Sequence, residues 1–230
     1  MLPYYSQNVK HLIAVDCIIF GFDREGLRLL LIKRAVEPGA GAWSLMGGFL
    51  KEEESLDKAA KRVLYELTGL SEVYLEQLNT YGEVNRDPGG RVISVAYYAL
   101  IRTDKYDEEL IKKYGAKWFK IEDLPRLIFD HNDMVDVALR RLQRRTKTRP
   151  IGFELLPEKF SIPQLQRLYE AINQENIDKR NFRRKILGTQ LLVKLNEKEK
   201  GVSKRGAFLY KFDKEKYYKF FNNGYHFEIY

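Results

Sequence analysis

The first 150 residues alternate between short apolar runs and segments with a helical repeat. The runs at 11–22, 27–34 and 91–101 are rich in Ile, Val and Leu and are separated by turn-like residues. Runs of this length and composition predict β-strands. A shorter strand is predicted within 116–125, whereas apolar residues recur at helical spacing in 131–147. The order predicts a mixed sheet between helices.

A further helix is predicted between Ser55 and Gly69. A serine side chain is a preferred N-cap, and glycine readily adopts the left-handed conformation that ends a helix. The loop before it, 37–48, is rich in glycine and is predicted to lack regular structure.

The pattern changes at Thr148-Arg149-Pro150. Ser161 followed by Gln164 forms a capping box, and four apolar residues, Leu165, Leu168, Tyr169 and Ile172, then mark a buried helical stripe. A four-residue turn leads to a second helix that starts at Asp178. Alternating strands at 191–195 and 207–212 flank a polar, basic tip. Helix, turn, helix and two-stranded wing describe a winged helix-turn-helix.

The pattern therefore predicts an α+β protein of two domains. Residues 1–149 are expected to form a mixed sheet between helices, and residues 150–230 the winged helix-turn-helix domain. No internal repeat is evident.

Charge divides the chain at nearly the same place. Residues 1–139 carry 18 Lys/Arg and 22 Asp/Glu, whereas residues 140–230 carry 22 Lys/Arg and 10 Asp/Glu. Such asymmetry is typical of a protein with one part that binds a polyanion. A solvated basic face is the alternative explanation.

The remaining composition favours a cytoplasmic protein. Cys17 is the only cysteine, so no internal disulfide can form. The N-terminus lacks a basic-then-apolar leader, and no apolar stretch approaches the length of a membrane span. Zinc-type Cys/His spacing and a P-loop are absent from the sequence, so we expect no cofactor and no metal site.

The second helix of the predicted winged domain has a basic face. Phe182 and Ile186 share the face that should pack inward. Arg side chains recognise guanine edges and Asn recognises adenine edges in the major groove, whereas Lys and Arg also neutralise phosphates. Double-stranded DNA is favoured over RNA, whose A-form major groove is too narrow for a helix. The predicted DNA-binding residues are Lys179, Arg180, Asn181, Arg183, Arg184 and Lys185, with Lys204 and Arg205 in the wing.

Residues 48–70 resemble the Nudix box, G-x5-E-x7-R-E-U-x-E-E-x-G-U, in which U is a bulky apolar residue. Gly48, Glu54, Arg62, Leu64, Glu66, Gly69 and Leu70 occupy its fixed positions. Val63 and Leu67 stand where the motif has glutamates. Positions 63, 66 and 67 are expected on one helix face, where clustered carboxylates would bind Mg²⁺. The loss of two of them predicts that the chain has no catalytic residues and is not an enzyme.

Both halves together resemble the Nudix-related transcriptional regulators, in which a Nudix-like sensor precedes a winged helix. The resemblance implies a homodimer that binds palindromic operator DNA and is released by a small metabolite. The chain looks most like the arabinose-responsive branch of that family. The implied effector is a small sugar, L-arabinose, and the implied role is the regulation of sugar utilisation.

The effector is expected in the cleft over the sheet, beside the box. Carboxylates that bind hydroxyl groups and an aromatic plane would suit a sugar. Each residue has an alternative role: Trp43 in core packing, Arg34 in an ion pair and His131 as a helix cap. The candidate effector-binding residues are Asp16, Lys33, Arg34, Trp43, Asp130 and His131.

Two other functions remain open. The chain could be a Nudix hydrolase of a nucleoside diphosphate sugar that uses its remaining acids in a shifted arrangement. It could also be a regulator that senses ADP-ribose or another NAD metabolite. The two missing glutamates and the basic C-terminal part favour a regulator over the enzyme.

Overall fold

The computed structural model describes residues 7–103, 108–199 and 206–222, and Lys204 and Arg205 lie outside this part. In the N-terminal domain the strands are β1 (Leu12–Asp23), β2 (Gly26–Lys33), β3 (Trp43–Ser44), β4 (Met46–Phe49), β5 (Tyr74–Tyr81), β6 (Val92–Arg102) and β7 (Lys117–Lys120). Its helices are α1 (Leu56–Thr68), α2 (Glu108–Lys113) and α3 (His131–Thr148).

The N-terminal sheet has seven strands in mixed orientation. The path runs β3-β2-β1-β6-β5, with β4 added beside β1 and β7 beside β2. The central strands β1 and β6 are parallel, and Asp16 is in register with Ala96. The two faces of the sheet are buried in separate apolar clusters, one under α1 and the other under α3. The predicted mixed sheet between helices is confirmed.

Helix α1 begins and ends at the predicted residues. Ser55 Oγ accepts a hydrogen bond from Lys58 N at 3.3 Å, and Gly69 adopts the left-handed conformation with φ of 71°. Its inward stripe is apolar and includes Val63, which is only 2% exposed. Burial of this stripe, rather than helix propensity alone, stabilises a helix of this length.

The C-terminal domain contains the predicted winged helix. Its strands are β8 (Phe160–Ser161), β9 (Leu192–Glu199) and β10 (Ala207–Phe212), and its helices are α4 (Ile162–Asn173), α5 (Lys179–Gly188) and α6 (Lys214–Asn222). The capping box of α4 is present, because Ser161 and Gln164 exchange hydrogen bonds of 2.8 and 3.3 Å. Asp178 caps α5 by accepting from Asn181 N at 2.8 Å. Strands β9 and β10 pair antiparallel as the wing.

The two domains share one apolar core. The cluster under α3 continues from Phe20 and Leu29 of the sheet to Leu165 and Leu168 of α4. Polar contacts join the same elements: Gln143 Nε2 donates to Ile172 O at 3.0 Å, and Thr146 Oγ1 donates to Asn173 Oδ1 at 3.3 Å. Helix α3 therefore belongs to the packing of both domains, and the boundary at residue 149 stays a prediction.

Several elements differ from the sequence-based expectation. The glycine-rich loop contains β3 and β4, and strand β5 and helices α2 and α6 were not predicted. Strand β5 is mostly partly buried and mixes polar with apolar residues, so it lacks the apolar run that identifies a buried strand. None of the helices in the described ranges is both long and apolar enough to cross a membrane.

Candidate DNA-binding surface and effector cleft

Helix α5 buries two apolar residues and exposes most of its charged ones. Phe182 and Ile186 are each 1% exposed, and Phe182 packs edge-on against Tyr169 of α4 with ring centroids 5.5 Å apart. Because α5 is short, these two side chains fix its rotation on the domain. The remaining positions face outward as the helical spacing predicts.

The predicted DNA-contacting side chains lie on that outward face. Lys185 is half-buried at the margin, and Arg184 Nη2 donates to Asn181 Oδ1 at 2.8 Å. This bond orients both groups without removing the guanidinium's other donors. Lys179, Arg180, Asn181, Arg183 and Arg184 are all exposed.

The wing carries further cations. Lys194 Nζ lies 3.8 Å and Lys198 Nζ 4.9 Å from the ring centroid of Phe208, which is partly exposed. Cation–π contacts of this kind hold flexible lysines against the strand surface. Helix α5 and these wing lysines form the candidate DNA-binding surface.

The effector cleft is a cavity of about 280 Å³ over the sheet. Strand β4 and the loops before β3 and after β5 form its walls. Three predicted residues, Asp16, Arg34 and His131, line it together with Arg86, Phe129 and Phe49.

A buried ionic network forms the floor of this cleft. Arg86 donates to both carboxylate oxygens of Asp130, at 2.8 and 2.7 Å. Its guanidinium also lies 3.8 Å from Asp16, whose carboxylate accepts from Ser94 Oγ at 2.5 Å. Asp130 is consequently occupied by Arg86, so its contribution to a ligand would be indirect. Bidentate pairing of this kind fixes geometry as well as charge.

His131 is held neutral beside the network. Its Nδ1 accepts a hydrogen bond from Leu45 N at 3.1 Å, and its Nε2 lies 3.8 Å from Asp16. Burial lowers the pKa of His131, although the nearby carboxylates of Asp16 and Asp130 act in the opposite direction. His131 is the first residue of α3, whereas Asp130 is its N-cap without a side-chain cap bond.

Arg34 and Phe129 form the mouth of the cleft. Arg34 Nε donates to Val36 O and Pro38 O, at 3.0 and 2.7 Å, and its guanidinium carbon lies 5.4 Å from the Phe129 ring centroid. The backbone of Phe129 has φ of 51°, which is unfavourable for a bulky residue. Such strain is characteristic of ligand sites.

Two predicted effector residues lie elsewhere. Trp43 contacts Phe119 edge-on with centroids 4.8 Å apart, and Lys33 Nζ lies 4.8 Å above the Trp43 ring. Neither residue lines the cleft. The alternative of core packing fits Trp43 better than ligand contact does.

At the fixed positions of the Nudix-like box, the remaining acids are Glu54 and Glu66. Arg62 binds Glu54 through two donors at 2.6 and 3.0 Å, which lowers the pKa of Glu54 to about 2. Glu66 is exposed and lies 3.5 Å from Arg62. Val63 and Leu67 point into the apolar cluster, at 2% and 7% exposure, so the structure separates them from Glu66. The donor set does not fit Mg²⁺, and the described residues include no group of three or more potential metal ligands.

Arg86, Phe129 and Phe49 line the cleft but were absent from the sequence-based set, as was Ser94, which donates to Asp16. Arg86 precedes the Asp87-Pro88-Gly89-Gly90 turn, and an arginine beside such a turn was the available signal. Ser94 was hidden within an apolar strand. Its partner Asp16 lies 78 positions away, and no local pattern reports such a pair.

Comparison with protein families matches both domains. The NUDIX domain model matches residues 10–139, and the NrtR DNA-binding winged helix domain model matches residues 152–212. The chain is 35% identical over 216 residues to the ADPR responsive transcriptional repressor NtrR of Acinetobacter baylyi. The aligned region covers 92% of this chain and 86% of that protein.

Solved structures support the same arrangement. Shewanella oneidensis NrtR complexed with a 27mer DNA superimposes with a TM-score of 0.81 at 30% identity, covering 94% of this chain and 97% of that chain. The NUDIX domain of the same protein, complexed with ADP ribose, matches 60% of this chain and 96% of its own with a TM-score of 0.50 and 30% identity. The fold prediction is confirmed, but the assignment to the arabinose-responsive branch is wrong.

Proposed function

The chain belongs to the NrtR-like family of ligand-responsive transcriptional repressors, and we propose that its effector is ADP-ribose, bound in the cleft at Arg34 and Phe129. L-arabinose and the regulation of sugar utilisation are withdrawn, because the matching relative responds to ADP-ribose. The observation that carries the proposal is a NUDIX cleft with cationic and aromatic groups at its mouth and no metal site in its box.

The chemistry of the cleft suits a nucleoside diphosphate. The two phosphates of ADP-ribose are anionic, and Arg34 offers a guanidinium with donors beyond Nε. Phe129 and the partly exposed Phe49 offer aromatic surface for a base. Asp16 and Asp87 supply carboxylates that can accept from ribose hydroxyls. A free pentose is uncharged and would leave the Arg34 guanidinium without an anionic partner.

We infer that the same cleft binds ADP-ribose without cleaving it. Hydrolysis in this fold relies on acids that gather metal ions, and here Glu54 is held by Arg62 while Val63 and Leu67 are buried. The hydrolase alternative predicts turnover with Mg²⁺ or Mn²⁺ on the order of 1 s⁻¹ or faster. Product formation at that rate would overturn the assignment as a repressor without enzyme activity.

Helix α3 offers a direct route from the cleft to the DNA-binding domain. It begins at His131 and contacts α4 through Gln143 and Thr146. With 18 residues, the helix is about 27 Å long. A ligand that displaces the Asp130–Arg86 pair would move the start of a helix whose other end is fixed in the winged domain. In a homodimer this movement changes the spacing of the two recognition helices, and the operator is expected to be an inverted repeat.

The effector assignment is tested by calorimetric titration of ADP-ribose into the full chain. The wild type should bind, Arg34→Ala should bind about tenfold more weakly, and Lys61→Ala should be unchanged because Lys61 is exposed on α1 away from the cleft. L-arabinose should give no heat of binding. Equal affinity of the Arg34 and Lys61 variants would place the ligand elsewhere.

The transmission route has its own test. Gln143→Ala removes the bond to Ile172 O without touching either ligand surface. We expect the variant to bind ADP-ribose and operator separately, but to show a smaller reduction of operator affinity when ADP-ribose is added. A reduction identical to that of the wild type would exclude Gln143 from the route.

A further inference from the structure

A second, larger cavity lies between the two domains. Its volume is about 750 Å³, which is within the range of small-molecule sites. We call it the interdomain groove. The NUDIX domain contributes the start of β5 and the end of β6. The winged domain contributes the segment before α4, strand β10 and the start of α6. Its principal residues are Tyr74, Phe153, Glu154, Phe160, Phe212 and Glu72.

One wall of the groove is aromatic. Phe153 and Phe212 are stacked with centroids 4.1 Å apart and planes inclined by 16°, and Phe153 contacts Phe160 at 5.5 Å. Tyr74 faces them from the NUDIX domain, where its hydroxyl donates to Glu76 at 2.5 Å. Rigid rings on both sides of a gap suit a flat apolar ligand better than a flexible one.

Glu154 places a carboxylate against this wall. Its Oε2 accepts from Gly152 N at 3.2 Å, and the described residues provide no ion-pair partner for it. Burial raises the pKa of Glu154, while Lys214 acts in the opposite direction without pairing. Glu154 is half-buried, and a cation bound beside its carboxylate would offset the cost of removing that charge from water.

Other charged residues also line the groove, among them the cations Arg102 and Lys214. Lys211 Nζ binds Glu158 at 2.5 Å, and Asp213 accepts from Lys216 N at 2.9 Å at the start of α6. Glu72 is exposed at the rim on the NUDIX side. Glu154 lies beside the aromatic wall and Glu72 at the rim, so these two carboxylates are the candidates to meet a ligand's positive charge.

We infer that the interdomain groove is a second ligand site, separate from the effector cleft, for a flat aromatic molecule that carries one positive charge. The ring lies against Phe153 and Phe212, and the cation lies at Glu154. This differs from the effector cleft, where Arg34 faces a ligand that must be anionic. Because both domains line the groove, its ligand contacts both at once.

The test uses three indole derivatives that share one ring system and differ in the charge of the side chain. Tryptamine is the cationic probe, tryptophol the neutral one and indole-3-propionate the anionic one. Each is titrated calorimetrically into the full chain in the absence of DNA and ADP-ribose. We expect tryptamine to bind at least about tenfold more tightly than the other two.

Matched variants locate the charge. Glu154→Gln keeps the size of the side chain and should weaken tryptamine binding about tenfold. Glu72→Gln, at the exposed rim, should weaken it about twofold and serves as an independent variant that does not disturb the fold. Glu175→Gln removes an exposed carboxylate outside the groove and should leave the affinity unchanged.

Several outcomes would overturn the inference. These are no tryptamine binding at concentrations of about 5 mM, equal affinity for the three probes, or an unchanged affinity when both Glu154 and Glu72 are neutralised. Binding only after removal of residues 223–230 would also overturn it, because the chain itself would then occupy the groove. ADP-ribose binding is measured separately, so failure here leaves the proposed function standing.

Discussion

Helices α1 and α5 have the same local signals but differ in the charges that they expose. Each has an oxygen-bearing N-cap and an apolar stripe that packs on its own domain. In α1, positions that carry acids in the Nudix box are apolar and buried, whereas α5 buries two residues and exposes a dense set of cations. Packing of the apolar stripe therefore positions each helix, and the side chains outside that stripe determine whether the helix can bind a ligand.

The largest effect should come from returning an acid to α1. Val63→Glu places a carboxylate in the apolar cluster under the sheet, so we expect the free energy of unfolding to fall by roughly 3–5 kcal/mol. Urea denaturation measures the change. Glu66→Gln, on the exposed side of the same helix, should change stability by less than about 0.5 kcal/mol. A stable Val63→Glu variant that hydrolyses ADP-ribose would mean that α1 can still present acids to metal.

A smaller effect is expected from α5, because its charged face contributes nothing to packing. Arg180→Ala or Arg184→Ala should weaken operator binding by about 1–3 kcal/mol and relax specificity at one base pair, provided each guanidinium contacts a base. Thermal unfolding should be unchanged. Lys61→Ala on α1 is the matched control, and an equal loss of affinity in it would show that overall charge, rather than the face of α5, determines binding.

Local spacing explains why helices α4 and α5 were predictable. The Ser161/Gln164 capping box and the Phe182/Ile186 face are set by residues within four positions of one another, so the sequence alone identifies them. The effector cleft is different, since Arg86 meets Asp130 across 44 positions. Its chemistry depends on assembly of the sheet, and the choice between a sugar and a nucleotide could not be made from any local pattern.

Acid should lower the stability of the folded chain through His131, by a still smaller amount. Because burial lowers its folded pKa below the ordinary value of 6.5, the unfolded chain binds the proton more readily. Stability should therefore fall as the pH is lowered from 6.5 towards the folded pKa, by at most about 1.4 kcal/mol per pH unit. The charged groups that act on the ring are Asp16, Asp130, Arg86 and Arg34. All four are kept in the His131→Gln variant that serves as the comparison.

The contribution of His131 is isolated by comparison with His131→Gln. We expect the difference in unfolding free energy between wild type and variant to shrink as the pH falls through this range. Chemical denaturation at a series of pH values measures it. A difference that does not vary with pH would mean that the histidine titrates alike in the folded and unfolded chains.

The smallest effect is expected from Lys204 and Arg205, which the sequence predicts to lie in the wing. Lys204→Ala or Arg205→Ala is expected to weaken binding evenly across DNA sequences and to reduce the slope of log affinity against log salt by about one. Titrations at several salt concentrations on operator and random DNA measure this. Loss of discrimination between the two DNAs would instead assign the residue to base recognition.

We propose that a NUDIX cleft that binds ADP-ribose without cleaving it controls the winged helix. Operator affinity, titrated in parallel with ADP-ribose and L-arabinose, tests it most directly. We predict that saturating ADP-ribose weakens operator binding by about 1–3 kcal/mol, that the reverse coupling is equal, and that arabinose has no effect. An operator affinity that responds to arabinose and is indifferent to ADP-ribose would contradict the account.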